Sequence, residues 1–262
     1  MSRLEEELPK IEVFNEDVED GYLNAKEGLE KLILKPLSQH FFEIDPLDKA
    51  VDAQLSAKIL RIAPILRLHE HLHGPVEFQD ESVLELGVLE FQKIDSYRAP
   101  RDKLQCILNG FRVIRHALDS SIGASRWGAD QLLPLCIFCI VKANPKNLNS
   151  NVQFISHFRH PSRLRGEDEY LLMQVSVAIR DILDIDEVLL KPESQLTVED
   201  VVRMRKRIKK QLLKLPDGAD KDALLAQASE AYEIKISDIS KFVAAYSQIL
   251  DTAKRTSNQF SS

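Results

Sequence analysis

The sequence predicts an all-helical protein, and three observations predict it. Nearly every apolar cluster recurs at i, i+3, i+4 and i+7 rather than at every second residue. Nine glycines in 262 residues is about half the usual ~7%. Finally, Leu132 to Ala143 is apolar nearly all round and is stopped by Asn144-Pro145, as expected of a helix buried on every side at the centre of the fold.

The elements follow in order. Tyr22 to Phe42 reads as a first helix with Leu29, Leu32, Ile33 and Leu37 on its packing face and a kink or break at Pro36. A second runs from Pro46 to Leu68, interrupted near Pro64, and a polar connector reaches Pro75. Glu81 to Ile94 is the next helix. Asp102 to Leu118 keeps the full helical stripe, with Pro100 at its entrance. After the buried helix, shorter periodic segments cover Ser150 to Phe158 and Glu167 to Ile185. Beyond Pro192 the texture changes to a basic helix over Thr197 to Leu215, followed by helices near Asp220 to Tyr232 and Ser237 to Lys254.

Composition narrows the chemistry. Hydrophobic residues make up 44% and charged residues 29%, an ordinary globular mixture. The nearest glycines are Gly123 and Gly128, and neither a G-x-G-x-x-G, a P-loop nor a G-x-S-x-G elbow exists, so common dinucleotide, nucleotide and hydrolase pockets are excluded. The net charge of −6 argues against nonspecific nucleic-acid binding. Cys106, Cys136 and Cys139 are too few for a disulfide framework and predict a reduced, intracellular chain. The acidic start has no signal-peptide core, and the longest apolar run, Leu132 to Val141, is too short to span a bilayer. A cytoplasmic protein without a transmembrane segment is expected.

Several constellations have competing readings. His69-Glu70-His71-Leu72-His73 matches the H-E-x-x-H of zinc proteases, but Gly74-Pro75 ends any helix there and no third ligand follows at a recognisable spacing. Cys136-Ile137-Phe138-Cys139 lacks a second pair and reads as core. His157, Arg159, His160, Arg163 and Arg165 read as a cationic, solvated face. Asp130 stands at the entrance of the most apolar helix, where it is either a functional acid or a cap. Tyr170, Met173, Gln174 and Val177 form a second stripe opposite the core face of their helix. That stripe either packs on another helix or receives a partner.

Six blocks in order resemble a known family: Tyr97-Arg98-Ala99-Pro100-Arg101-Asp102-Lys103-Leu104, Gly128-Ala129-Asp130-Gln131-Leu132-Leu133-Pro134, Lys142-Ala143-Asn144-Pro145, Asn147-Leu148-Asn149-Ser150-Asn151, Pro161-Ser162-Arg163-Leu164 and Gly166-Glu167-Asp168-Glu169-Tyr170. The resemblance is to the Vps-nine domain, the catalytic module of exchange factors for Rab-five-type GTPases. It implies a layered all-helical domain over 86–190, with an N-terminal helical extension over 1–85, whose acidic start reads as disordered, and C-terminal helices over 191–262.

It further implies a guanine-nucleotide exchange factor that promotes GDP release in endosomal or vacuolar traffic, recruited peripherally to endosomes. No bond is made and no cofactor or metal is needed. By the resemblance, Asp130 is the acid inserted into the GTPase nucleotide site, where it competes for the P-loop lysine and disfavours magnesium and phosphate. Tyr170 contacts switch I, and Pro134, Asn144, Met173, Gln174 and Val177 line or adjoin the GTPase-binding surface. For Pro134 and Asn144 a helix-entrance proline and a helix-stop asparagine are equal alternatives.

The chain departs from the family in having Leu171-Leu172 where a second aromatic is usual, Met173-Gln174 where Thr-Asn is frequent, and Pro145-Lys146 for Pro-Pro. These departures bear on catalytic strength and substrate preference. A non-catalytic helical adaptor that binds a Rab GTPase through the same surface is the alternative, with a zinc metalloprotease more remote. The basic helix, with Arg203, Arg205, Lys206, Arg207, Lys209 and Lys210, either docks on anionic membrane or an acidic partner, restrains the catalytic face, or packs intramolecularly with its charges in water.

Overall fold

The computed structural model describes residues 7, 19–42, 45–75, 78, 81–123, 126–191, 195–215, 219–234 and 239–259. Among these residues every regular element is helical, and no helix is long and apolar enough to cross a membrane. They group into two compact units that meet between Ile185 and Asp186 in sequence. Most of the acidic start lies outside the described residues.

The first unit is built around a buried helix. Its elements are α1 (Glu19–Phe41), α2 (Pro46–Ile62), the four-residue α3 (Leu68–His71), α4 (Glu85–Lys93), α5 (Pro100–Ser121), α6 (Leu132–Ala143), α7 (Leu148–Phe158) and α8 (Glu167–Asp184). Helix α6 is covered by α3, α4, α5 and α8, and Leu135, Cys136, Cys139 and Ile140 have no exposed surface. Helices α4 and α5 approach closely because residue 110 is glycine: a Cβ there would stand 2.8 Å from the Phe91 ring. Phe91 then packs edge-on against Phe111, with ring centroids 6.3 Å apart.

Two features differ from the sequence expectations. Of the kink or break expected at Pro36, the break does not occur, and α1 runs through the proline. Nor does the expected face of α1 turn fully inward: Leu32 remains 73% and Leu37 38% exposed, while Leu29 and Ile33 are half-buried. The face turned inward carries Glu27, Glu30, Leu34 and Ser38, one helical stripe, and its carboxylates decide the orientation. Both Arg159 terminal nitrogens reach Glu27, at 2.5 and 2.6 Å, and one also reaches Glu30 at 2.8 Å.

Arg163 adds a contact to Glu30 at 3.2 Å and Arg101 one to Glu27 at 3.3 Å. The expected solvated face is therefore corrected: Arg159 and Arg163 are buried ion-pair partners, because α1 supplies two carboxylates that leave water only if paired. Burial opposes the Arg159 charge, but its hydrogen bonds to Glu27 and Glu30 outweigh this and hold the guanidinium above its ordinary value.

A second long-range contact fixes α7. Its own N-cap, Asn147, makes no side-chain capping bond. Instead the buried Asp52 of α2 accepts from the Asn149 N–H at 2.7 Å, the Ser150 N–H at 3.1 Å and the Ser150 hydroxyl at 2.6 Å. Unpaired N–H groups at a helix start need an acceptor, and here a distant helix provides it. Asp52→Ala leaves these donors buried without that acceptor and is expected to destabilise the first unit by about 1–3 kcal/mol. A urea titration checks this, and an unchanged midpoint would sink it.

The motif residues upstream of α6 are likewise structural. Lys103 is buried and donates to the Ile94 carbonyl at 3.1 Å and to Asn151 Oδ1 at 2.5 Å. Asn151 in turn donates to Asp95 at 2.8 Å, and Asp95 accepts from the Lys146 N–H at 2.9 Å. This chain of bonds ties the starts of α5 and α7 to the turns beside them.

The second unit contains α9 (Val198–Leu212), α10 (Ala219–Glu233) and α11 (Ile239–Gln259). Thr197 and Asp200 form a capping box at the start of α9. Met204, Ile208, Leu212, Phe242, Tyr246 and Ile249 make its core, and the Tyr246 hydroxyl donates to Asp186. The basic helix thus packs its apolar side inside its own unit.

Candidate functional site

Asp130 lies in a 3₁₀ turn, Ala129–Gln131, that leads directly into α6. Its side chain is exposed, and among the described residues it makes no hydrogen bond or ion pair. The capping alternative therefore has no bond to support it. Gly128 makes room for the carboxylate: a Cβ at that position would stand 2.5 Å from Asp130 Oδ1. Pro134 follows in the first turn of α6 and is half-buried.

Tyr170 is in the first turn of α8 and is 38% exposed. Met173 is 59% exposed, Gln174 and Val177 are half-buried, and the four share one face. Tyr170 and Met173 thus leave the outer part of the stripe open, while Gln174 and Val177 are partly covered. Leu171 and Leu172, which stand where the resemblance leads one to expect a second aromatic, are turned into the core at 2% and 4% exposure.

Two bonds that the sequence did not reveal bring Asp130 and Tyr170 to one end of the unit. The Trp127 indole N–H donates to Asp119 at 2.7 Å, which holds the segment before Asp130 against the end of α5. Arg115 pairs with Glu167, which holds the start of α8 to the same helix. Residues 115 and 119 are one turn apart, about 6 Å along α5. The segment that enters α6 and the first turn of α8 are thus both tied to the same end of α5, and α6 packs on α8. The signal available in sequence was the chain's single tryptophan, three residues before Asp130.

Asn144 is not brought to this patch. It closes the far end of the twelve-residue α6, about 18 Å from its start. It adopts the left-handed conformation at φ 44°, and its side-chain oxygen is buried with no hydrogen-bond partner among the described residues. That geometry is a helix stop.

The other constellations lack catalytic form. All three thiols are buried. Burial pushes Cys106 up to about 11 and Cys139 up to about 12, and raises Cys136 well above its ordinary value, so none is a thiolate at neutral pH. The H-E-x-x-H segment is not one continuous helix, because α3 ends at His71 and His73 has φ 53°. His71 Nδ1 accepts from the Arg67 N–H at 2.8 Å. No group of three His, Cys, Asp or Glu able to hold a metal occurs among the described residues.

The family model for the Vacuolar sorting protein 9 (VPS9) domain matches residues 84–187. This segment belongs to the VPS9 domain family. Similar proteins include vacuolar protein sorting-associated protein 9A of Oryza sativa subsp. japonica, 38% identical over 171 residues, which are 64% of this chain and 35% of that protein. The protein of the same name in Arabidopsis thaliana is 37% identical over 166 residues, 62% of this chain and 32% of that one. The human GTPase-activating protein and VPS9 domain-containing protein 1 is 32% identical over 173 residues, 66% of this chain and 11% of that one. The chain thus spans about a third of the length of the plant relatives. Within the matched segment, Asp130 is exposed and makes no bond among the described residues, and Tyr170 and Met173 are exposed on α8, whereas Lys103, Asn151 and the buried α6 maintain the scaffold.

Proposed function

We propose that the chain is a guanine-nucleotide exchange factor that accelerates GDP release from a Rab-five-like small GTPase on the endosomal or vacuolar sorting route. The observation that carries this reading is an exposed carboxylate that makes no bond among the described residues, on a segment tied to the same end of α5 as the start of the helix that carries the exposed Tyr170 and Met173, in a stretch matched by the VPS9 family model. Asp130 enters the GTPase nucleotide site, competes for the lysine that holds the phosphates and disfavours magnesium. Tyr170 contacts switch I, with Met173, Gln174 and Val177 extending the contact along α8 and Pro134 adjoining it on α6. Asn144 joins the interface only if the footprint runs the length of α6. No covalent step is involved, and the nucleotide and metal belong to the partner.

Release of a fluorescent GDP analogue from a panel of Rab GTPases tests the proposal. The wild-type chain is expected to accelerate release from a Rab-five-like member. Tyr170→Ala should lower kcat/KM by roughly tenfold or more, the scale of losing a central interface aromatic, while Tyr170→Phe retains most of it. GTPase capture without acceleration by the wild type would replace exchange with the adaptor reading.

A further inference from the structure

The outward side of α9 has a composition that the proposed exchange activity does not use. Successive residues advance by about 100° around a helix, and Val201, Met204, Ile208 and Leu212 take the buried side. Arg205 and Arg207 lie at the edges of the exposed arc and are engaged within the unit. Arg205 donates to the Tyr232 carbonyl at 2.8 Å and lies over the Tyr232 and Phe242 rings. Arg207 pairs with Asp186 at 3.4 Å. These two arginines therefore drop out of the basic set that the sequence offered for a membrane contact.

The remaining cations, Arg203, Lys206, Lys209, Lys210 and Lys214, are all exposed, and none of their side chains makes an ion pair among the described residues. Val202, at 44% exposure, and Leu213, at 70%, lie along the middle of the same arc with Lys206. Leu213 extends the helix by one residue through its N–H bond to the Lys209 carbonyl at 3.1 Å. Lys209 flanks this line on one side, and Arg203, Lys210 and Lys214 flank it on the other. Glu199, near the helix start, is the one acid on the arc among the described residues of α9.

We infer that this face docks on the surface of an anionic lipid bilayer. Charge complementarity requires a negative counterpart, and two details choose lipid over protein. Four of the five cations are lysines, compact point charges on flexible stems, rather than arginines with the planar fork that grips defined carboxylate pairs. Exposed Val202 and Leu213 stand among them, as fits a headgroup layer that takes up shallow apolar side chains. The buried side of α9 is already occupied by its own unit, so the contact is a peripheral one.

Flotation of the full chain with phosphatidylcholine vesicles, with and without phosphatidylserine, tests the inference. Binding is expected only to the phosphatidylserine vesicles and is expected to weaken as salt rises. Each basic residue near such a surface contributes about a fivefold factor, so Lys206→Glu with Lys210→Glu should cut partitioning at least about twenty-five-fold. Leu213→Ser should cause a smaller loss that persists across salt concentrations. Unchanged far-UV circular dichroism and melting temperature confirm that the variants fold.

Equal binding to neutral vesicles, or retained binding by the double variant, overturns the inference. So does the absence of vesicle binding together with retention on immobilised polyglutamate that the double variant loses, which would assign the face to an acidic protein.

Discussion

Asp130→Ala is expected to cut the GDP-release rate promoted by the chain about a hundredfold or more while leaving its fold intact. The carboxylate is exposed and makes no bond among the described residues, so its removal disturbs no packing. Its value would arise only in the complex. A carboxylate brought within about 4 Å of the partner's lysine is worth about 4 kcal/mol at an effective dielectric near 20, and each 1.4 kcal/mol is about tenfold. Asp130→Asn keeps the size and removes the charge, and should be nearly as impaired. Stopped-flow release of labelled GDP, alongside a thermal melt, separates the outcomes. A full exchange rate in Asp130→Ala would remove the acid from the mechanism, and with it the feature on which the exchange reading chiefly rests.

The largest stability effect is expected at Arg159. Its guanidinium satisfies both oxygens of Glu27 and one of Glu30 in a site where all three side chains are buried. Truncation to alanine leaves those carboxylates, among the described residues, with Arg101 and Arg163 as opposing charges. Breaking a buried pair from one side costs about 3–5 kcal/mol, or about 10 °C in the melting temperature of a unit this size. Arg159→Lys should fall between, since an ammonium keeps the charge but not the two-pronged geometry. Because the cluster joins α1 to the end of α7, near-wild-type melting of Arg159→Ala would show that α1 is held by its other contacts, such as the Lys31–Asp102 pair at 2.9 Å.

The sequence made the helices legible where apolar periodicity and termination agree. Leu132–Ala143 is reproduced at both ends, because a wholly apolar segment has one stable place and Asn144-Pro145 cannot continue it. The stripe of Tyr170, Met173, Gln174 and Val177 was also legible, since α8 has two faces that differ in composition. The orientation of α1 was not. Apolar spacing selects Leu29, Leu32, Ile33 and Leu37, of which Leu32 and Leu37 stay exposed, whereas the face turned inward carries Glu27 and Glu30 beside Leu34, and their partner Arg159 lies 132 and 129 residues away.

The same limit hid the placement of the candidate site. Nothing local to Asp130 or Tyr170 shows that Asp119 and Arg115, on one helix, draw their two segments together. Asp52 as the cap of α7 was hidden for the same reason: a cap is sought next to the helix it serves, and this one is supplied from 97 residues upstream.

That distant cap has a bearing on what counts as the domain. The family match begins at residue 84, yet the first turn of α7, well inside it, is completed by Asp52, and Lys58 donates to the Ile185 carbonyl near its other end. The shared stretch of sequence is therefore shorter than the stretch that must fold as a body. A fragment cut to the family boundary would keep the residues by which kinship is recognised and lose groups that close its helices, so homology and autonomy part company here by several dozen residues.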